Sequence, residues 1–221
     1  MSSGLPIGLL LVDDDPLIRA GLGTILASDP GLKILGEAEN GLRAIELASR
    51  LQPEVIMMDI RMPQLDGLGA MERILAESPT AKVLILTTFG EEEYIDCAMS
   101  VGAAGFMLKS SDPEELIRGV YSVADGAAAL SPRIAKRLVD KFRSVDHDRR
   151  ARAMGLIEQL TPREHDVLAL VGAGNSNSEI ADVLVLTPAT VKGHMTSILI
   201  KLKVRNRVEA ALIAYHGGLV D

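Results

Sequence analysis

Residues 7–15 read Ile7-Gly8-Leu9-Leu10-Leu11-Val12-Asp13-Asp14-Asp15. Six residues of nearly continuous apolar character followed at once by three carboxylates describe a strand covered on both faces that stops at a polar edge. The pattern recurs along the first half of the chain. Val55–Met58 runs into Asp59, Lys82–Leu86 into Thr87 and Gly105–Leu108 into Lys109, and Leu32–Ala38 reads as a further strand. Amphipathic stretches near Pro16–Ala27, Gly41–Ser49, Gly67–Ala76, Glu91–Ser100 and Pro113–Ala124 alternate with these runs. Strand and helix alternating in this way predict a doubly wound, parallel, five-stranded α/β sheet. In such sheets ligands bind at the carboxyl ends of the strands, where Asp13, Asp14, Asp59, Thr87 and Lys109 would all lie.

Pattern and charge both change after the fifth helix. Residues 1–128 hold 20 acids and 9 bases, residues 129–155 hold 3 acids and 8 bases, and residues 156–221 hold 7 acids and 6 bases. The net charge of -7 therefore conceals an acidic first part and a basic junction. Such asymmetry suggests an acidic domain joined to one that faces nucleic acid. Residues 1–128 form the expected first domain, 129–155 a linker and 156–221 the second domain. Within the linker, Ser131-Pro132 has the form of a helix cap and Asp140 to Arg152 is a charged run.

Other classes are disfavoured. No apolar stretch approaches the roughly 18 residues that a membrane span needs. Met1 to Pro6 lacks the basic flank and cleavage pattern of a signal peptide. Cys97 is the only cysteine, which excludes an internal disulfide and fits a reducing cytoplasm. As a lone cysteine on a helix it reads as a packing residue, with a redox role as the alternative.

Carboxylates gathered on one edge repel one another, so the cluster makes sense around a hard cation with oxygen ligands. Mg²⁺ fits, because it binds through one or two carboxylates together with water and phosphate oxygens. A carboxylate nucleophile, a divalent cation, a hydroxyl and a fixed ammonium suit formation of an aspartyl-phosphate. Asp15, directly before Pro16, reads instead as a helix N-cap.

Over roughly residues 5–126 the sequence resembles the receiver domain of two-component systems, whose fold is flavodoxin-like. The resemblance rests on Val12-Asp13-Asp14, Met58-Asp59-Ile60-Arg61-Met62-Pro63, Asp66-Gly67, Leu86-Thr87-Thr88 and Gly105-Phe106-Met107-Leu108-Lys109. It implies that Asp59 accepts phosphate from a sensor histidine kinase. It also implies that Asp13, Asp14, Asp59 and the backbone carbonyl of Arg61 hold Mg²⁺. Thr87 would bond the phosphoryl group, Lys109 would pair with it, and Phe106 would swing inward behind it. A phosphatase of the haloacid-dehalogenase type also passes through an aspartyl-phosphate. It needs a second acid and a threonine close after the nucleophile, however, and Ile60-Arg61-Met62-Pro63 supplies neither.

The second domain reads as all-α, with four helices. Thr161-Pro162-Arg163-Glu164 gives a cap, a first-turn proline and a glutamate three residues beyond the cap. A helix near Ser176–Leu184 and a tight turn then lead to Thr187-Pro188, the start of another capped helix. Two short helices around a tight turn have the form of a helix-turn-helix. Val191, Met195, Ile198, Leu199 and Leu202 mark the buried stripe of the second of them. The acid-free stretch Thr187 to Arg207 carries Lys192, Lys201, Lys203, Arg205 and Arg207.

Here the sequence resembles the NarL/LuxR class of DNA-binding domains over roughly residues 156–221. Leu160-Thr161-Pro162-Arg163-Glu164, Glu179-Ile180-Ala181, Thr190-Val191-Lys192, His194, Lys201-Leu202 and Arg207 carry the match. Lys192, Gly193 and Thr196 are implied to face bases, with Thr190, His194 and Lys201 as further DNA contacts. A last helix near Asn206–His216 is implied to make the dimer contact. Asn175, Ser178 and Lys203 depart from the class pattern, and Thr196 stands at a reading position where a base is common.

The expected function is that of a response regulator, a transcription factor and not an enzyme beyond its own phosphotransfer and dephosphorylation. Its expected partners are the histidine kinase, palindromic double-stranded DNA and a second copy after phosphorylation, with no membrane. A DNA binder indifferent to phosphorylation is the alternative from another class, and the complete acidic set speaks against it.

Overall fold

In the computed structural model, described for residues 5–88, 93–132, 134–135 and 153–220, two compact units are distinguished. The first holds β1 (Ile7–Val12), α1 (Pro16–Ala27), β2 (Leu32–Ala38), α2 (Gly41–Leu51), β3 (Val55–Asp59) and α3 (Gly67–Glu77). It continues with β4 (Val83–Thr87), α4 (Glu93–Val101), β5 (Gly105–Leu108) and α5 (Pro113–Ala124). The expected helix start at Glu91 and the charged run Asp140 to Arg152 lie outside the described residues.

All strand pairs are parallel, in the order β2-β1-β3-β4-β5-β6. The sixth strand corrects the five-stranded expectation. β6 (Ala129–Leu130) falls in the segment read as linker and pairs with Gly105 and Phe106 of β5. Two residues give no periodicity to detect, so a strand this short leaves no sequence signal.

Successive strand residues face opposite sides of the sheet. Leu9 and Leu11 of β1, Val55 and Met57 of β3, and Leu84 and Leu86 of β4 join Leu22, Leu26, Leu116 and Val120 in one core layer beneath α1 and α5. Leu10, Val12, Ile56, Met58 and Ile85, also buried, point the other way. Burial on both faces explains the unbroken apolar runs. Because β1 is flanked by β2 on one side and β3 on the other, the strand order reverses there. The crevice consequently opens between the carboxyl ends of β1 and β3.

The second unit contains α6 (Pro162–Gly172), α7 (Asn177–Leu184), α8 (Pro188–Leu202) and α9 (Arg207–His216), and residues 153–157 are also helical. Val167, Leu168, Val171, Ile180, Val191, Ile198 and Leu202 form its core. Thr161 and Glu164 complete a reciprocal capping box on α6, and Ser176 and Glu179 do the same on α7. Between α7 and α8 the chain bends by 106°, within the range of a helix-turn-helix. Val185 makes that turn in the left-handed region at φ 55° and is 91% exposed. No single helix among the described residues is long and apolar enough to cross a membrane.

Candidate functional site

β1 delivers Asp13 and β3 delivers Asp59 to neighbouring positions, and β5 ends beside them at Lys109. Asp13 is fully buried and Asp59 is 4% exposed. The Lys109 ammonium lies 2.8 Å from Asp13 Oδ2 and 2.9 Å from Asp59 Oδ2. Asp59 Oδ1 accepts from the Ile60 N–H at 2.8 Å, and Asp13 Oδ1 accepts from the Asp15 N–H at 3.0 Å. Burial is the main force pushing the Asp59 pKa up, to about 6; Lys109 opposes it and the Asp13 charge adds to it. Burial opposes the charge on Lys109, but the two carboxylates outweigh it and raise the ammonium pKa.

Asp14 is exposed at the mouth of the cluster. Ligand oxygens of Asp13, Asp14 and Asp59 lie within 4.8 Å of one another. One cation would thus be within reach of all three, and an all-oxygen donor set is the chemistry that Mg²⁺ prefers. Asp15 behaves as the N-cap expected, accepting from the Leu17 and Ile18 N–H groups. Thr87 is buried at the end of β4, with its hydroxyl donating to the Thr88 carbonyl at 3.2 Å. Phe106 lies fully buried in β5, and its carbonyl accepts from the Ser131 N–H at 3.0 Å. The Arg61 guanidinium sits over the Tyr94 ring, 5.7 Å from its centroid.

Two supporting residues escaped the sequence reading or had no stated role in it. Arg19 donates to the Asp13 carbonyl at 2.6 Å and to Glu37 at 3.0 Å, clasping the end of β1 to β2. Gly67 opens α3, and its N–H donates to the Ile60 carbonyl at 2.7 Å. A Cβ at Gly67 would collide with the Asp59 carbonyl oxygen. The Asp66-Gly67 pair was visible in the sequence, but a steric requirement across a loop was not.

In the second unit, Lys192, Gly193 and Thr196 share the exposed side of α8, and His194 is half-buried. Thr187 caps α8 by accepting from the Thr190 N–H at 3.1 Å, and the two hydroxyls lie 2.9 Å apart. Lys201 stands apart from that face and donates to buried Glu164 at 2.6 Å. Burial raises the Glu164 pKa, but Lys201 and Thr161 reverse this and hold it down to about 2. The Arg207 side chain donates to the Asn175 carbonyl and, at 3.1 Å, to Asn177 Oδ1. Burial lowers its pKa to about 10, which leaves it charged.

Comparison with known proteins bears on both units. Residues 9–121 match the family described as "Response regulator receiver domain", and residues 158–214 match "Bacterial regulatory proteins, luxR family". The nitrate/nitrite response regulator protein NarL of Escherichia coli is 35% identical over 212 residues, 96% of each chain. The transcriptional regulatory protein LnrK of Bacillus subtilis is 34% identical over 219 residues, covering 96% of this chain and 98% of its own. Among solved structures, the response regulator ChrA of a heme-sensing two-component system is 32% identical. It aligns with a TM-score of 0.53 over 97% of this chain and 99% of its own.

Proposed function

The chain belongs to the response regulators that join a receiver domain to a LuxR-type DNA-binding domain, and from that premise we propose that phosphorylation of Asp59 by a sensor histidine kinase controls its binding to DNA. The observation that carries this reading is the buried Asp59 carboxylate, flanked by Asp13 and bonded to Lys109.

Chemically, an Asp59 oxygen attacks the phosphorus of a phosphohistidine; a P–O bond forms as the P–N bond breaks. Lys109 already touches Asp59 and would follow the new phosphate oxygens, stabilising their charge. The Thr87 hydroxyl, which donates to the Thr88 carbonyl, would turn to donate to the phosphoryl group. Mg²⁺ held by Asp13, Asp14, Asp59 and the Arg61 carbonyl would supply positive charge to offset the carboxylates and the incoming phosphate. Phe106 would pack behind Thr87 in the active state. Hydrolysis of the acyl phosphate at the same site would return the switch to its starting state.

The proposed division is a receiver over residues 1–128 with β6 added at its edge, a linker that begins after Ser131, and a DNA-binding domain over residues 156–221. In the last, α8 enters the major groove with Lys192, Gly193 and Thr196 towards the bases and Thr190, His194 and Lys201 beside it. Phosphorylation would favour a homodimer through α9, matched to a palindromic promoter site, in the cytoplasm.

Intact mass after incubation with Mg²⁺ and acetyl phosphate tests the switch. The wild type should gain about 80 Da, one phosphoryl group, and Asp59→Asn should gain nothing. A folded, Mg²⁺-loaded wild type that gains no mass would favour DNA binding indifferent to phosphorylation.

A further inference from the structure

The reading helix α8 has its outward direction fixed by its buried side. Val191, Met195, Ile198 and Leu202 are all at most 7% exposed. At 100° per residue, the line directly opposite them runs through Ala189, Gly193, Thr196 and Ile200. All four are exposed, and Ile200 is 72% exposed. None of the four carries a charge.

Hydrogen-bonding capacity is also scarce on this line. The Thr196 hydroxyl donates to the Lys192 carbonyl at 3.1 Å, which leaves its methyl as the distinctive group. Gly193 offers only backbone, and a Cβ built there would meet nothing within 4 Å. Glycine in the interior of a helix is unfavourable, and no packing within the fold requires it at this place. An unfilled notch on the outer line makes sense if something approaches α8 closely from outside.

In the major groove, guanine is read by Arg or Lys, adenine by Asn or Gln, and cytosine by Asp or Glu. Thymine alone presents a methyl group that apolar side chains contact. The outer line has no Arg, Asn, Gln, Asp or Glu. Lys192 stands at its edge as the nearest exposed cation.

We propose that the line Ala189–Gly193–Thr196–Ile200 reads the 5-methyl groups of thymine, so that the DNA site is thymine-rich where α8 enters the groove. This inference rests on the reading that α8 enters the major groove. It adds the chemistry by which bases are selected: methyl contact in place of bidentate hydrogen bonding. The acid-free stretch Thr187 to Arg207, with its five bases, suits the phosphates of duplex DNA on either side of that line.

The test uses the full chain phosphorylated with acetyl phosphate and Mg²⁺. Binding sites are selected from duplexes with a random central segment. The Kd is then measured for the selected duplex and for versions with single thymines replaced by deoxyuridine, which removes the methyl and keeps the hydrogen-bonding edge. Thymine should be enriched, and each contacted methyl removed should weaken binding about fourfold, the effect of one buried methylene-sized group. Ile200→Ala, at an exposed position, should erase that penalty at one thymine without changing the melting temperature. A specific site without thymine enrichment, or uracil substitution that leaves a specific Kd unchanged, would overturn methyl reading while leaving major-groove recognition intact. If no sequence is enriched, recognition by α8 fails and the proposal with it. If Ile200→Ala changes only the sedimentation of the protein, the line is a protein contact and the proposal is wrong.

Discussion

Gly67 and Asp59 bear on each other through backbone, not side chains. The opening turn of α3 passes so close to the end of β3 that only a residue without Cβ fits. Gly67→Ala must push the Asp59–Ile60 segment aside. It should lower stability by about 1–3 kcal/mol, as overpacking in a filled interior does, measured by urea denaturation. It should also slow phosphoryl uptake from acetyl phosphate, because Asp59, the proposed phosphoacceptor, moves with its carbonyl. Asp59 itself makes a pH-dependent contribution. Its folded pKa of about 6 lies above the ordinary carboxylate value, so the fold prefers the protonated form. Without Mg²⁺, the charged carboxylate destabilises the protein above pH 6, and the effect fades as pH falls towards the unfolded pKa near 4. Asp59→Asn should therefore raise the urea midpoint at pH 8, by a margin that shrinks at pH 5. An equal margin at both pH values would show that burial does not govern this carboxylate.

Helix and strand segments differ in how plainly the sequence announces them. β1, β3 and β4 were legible because burial on both faces demands uninterrupted apolar runs, and the polar residue ending each run marked the site edge. Asp13, Asp59 and Lys109 group together for that reason from the sequence alone. α6 and α8 were legible from their caps, since Thr161 and Thr187 each accept a bond from their own first turn, whereas the Ser176–Glu179 capping box of α7 emerges only in the structure. β6 was hidden by its length. The ion pair of Lys201 with Glu164 joins residues 37 apart, and no local pattern reports such a contact; Lys201 read simply as a base near DNA. The role of Arg19 is hidden for the same reason, because its partners are the Asp13 carbonyl just beyond β1 and the Glu37 carboxylate on β2. The α7–α8 turn carries a local conflict. Val185 is β-branched and nearly fully exposed, yet holds a left-handed conformation that disfavours L-residues by about 1–2 kcal/mol. Val185→Asn, which tolerates that region, should stabilise the second unit by about 1 kcal/mol in a thermal melt. A lower melting temperature would mean that the valine side chain contributes more than its strain removes.

Across the whole chain, charge is divided by function. The first 128 residues carry an excess of 11 acids over bases, whereas residues 129–155 have an excess of 5 bases and Thr187 to Arg207 has no acid. Attraction to DNA must come from the basic minority, so it should weaken steeply with salt. Lys203, exposed at the end of α8, is suited to a phosphate contact. Lys203→Ala should weaken binding to all duplexes about equally and reduce the slope of log K against log salt by about one. Loss of affinity for one sequence only, with the slope unchanged, would assign Lys203 to a base. The edge of the sheet has one further consequence. The Ser131 amide is held by the carbonyl of Phe106, the residue expected to register phosphorylation, and Leu130 is that residue's partner in the ladder. Solvent deuterium can replace the Ser131 amide proton only when this bond opens. Its exchange rate is therefore a local clock, recording how often the outermost strand parts from the switch.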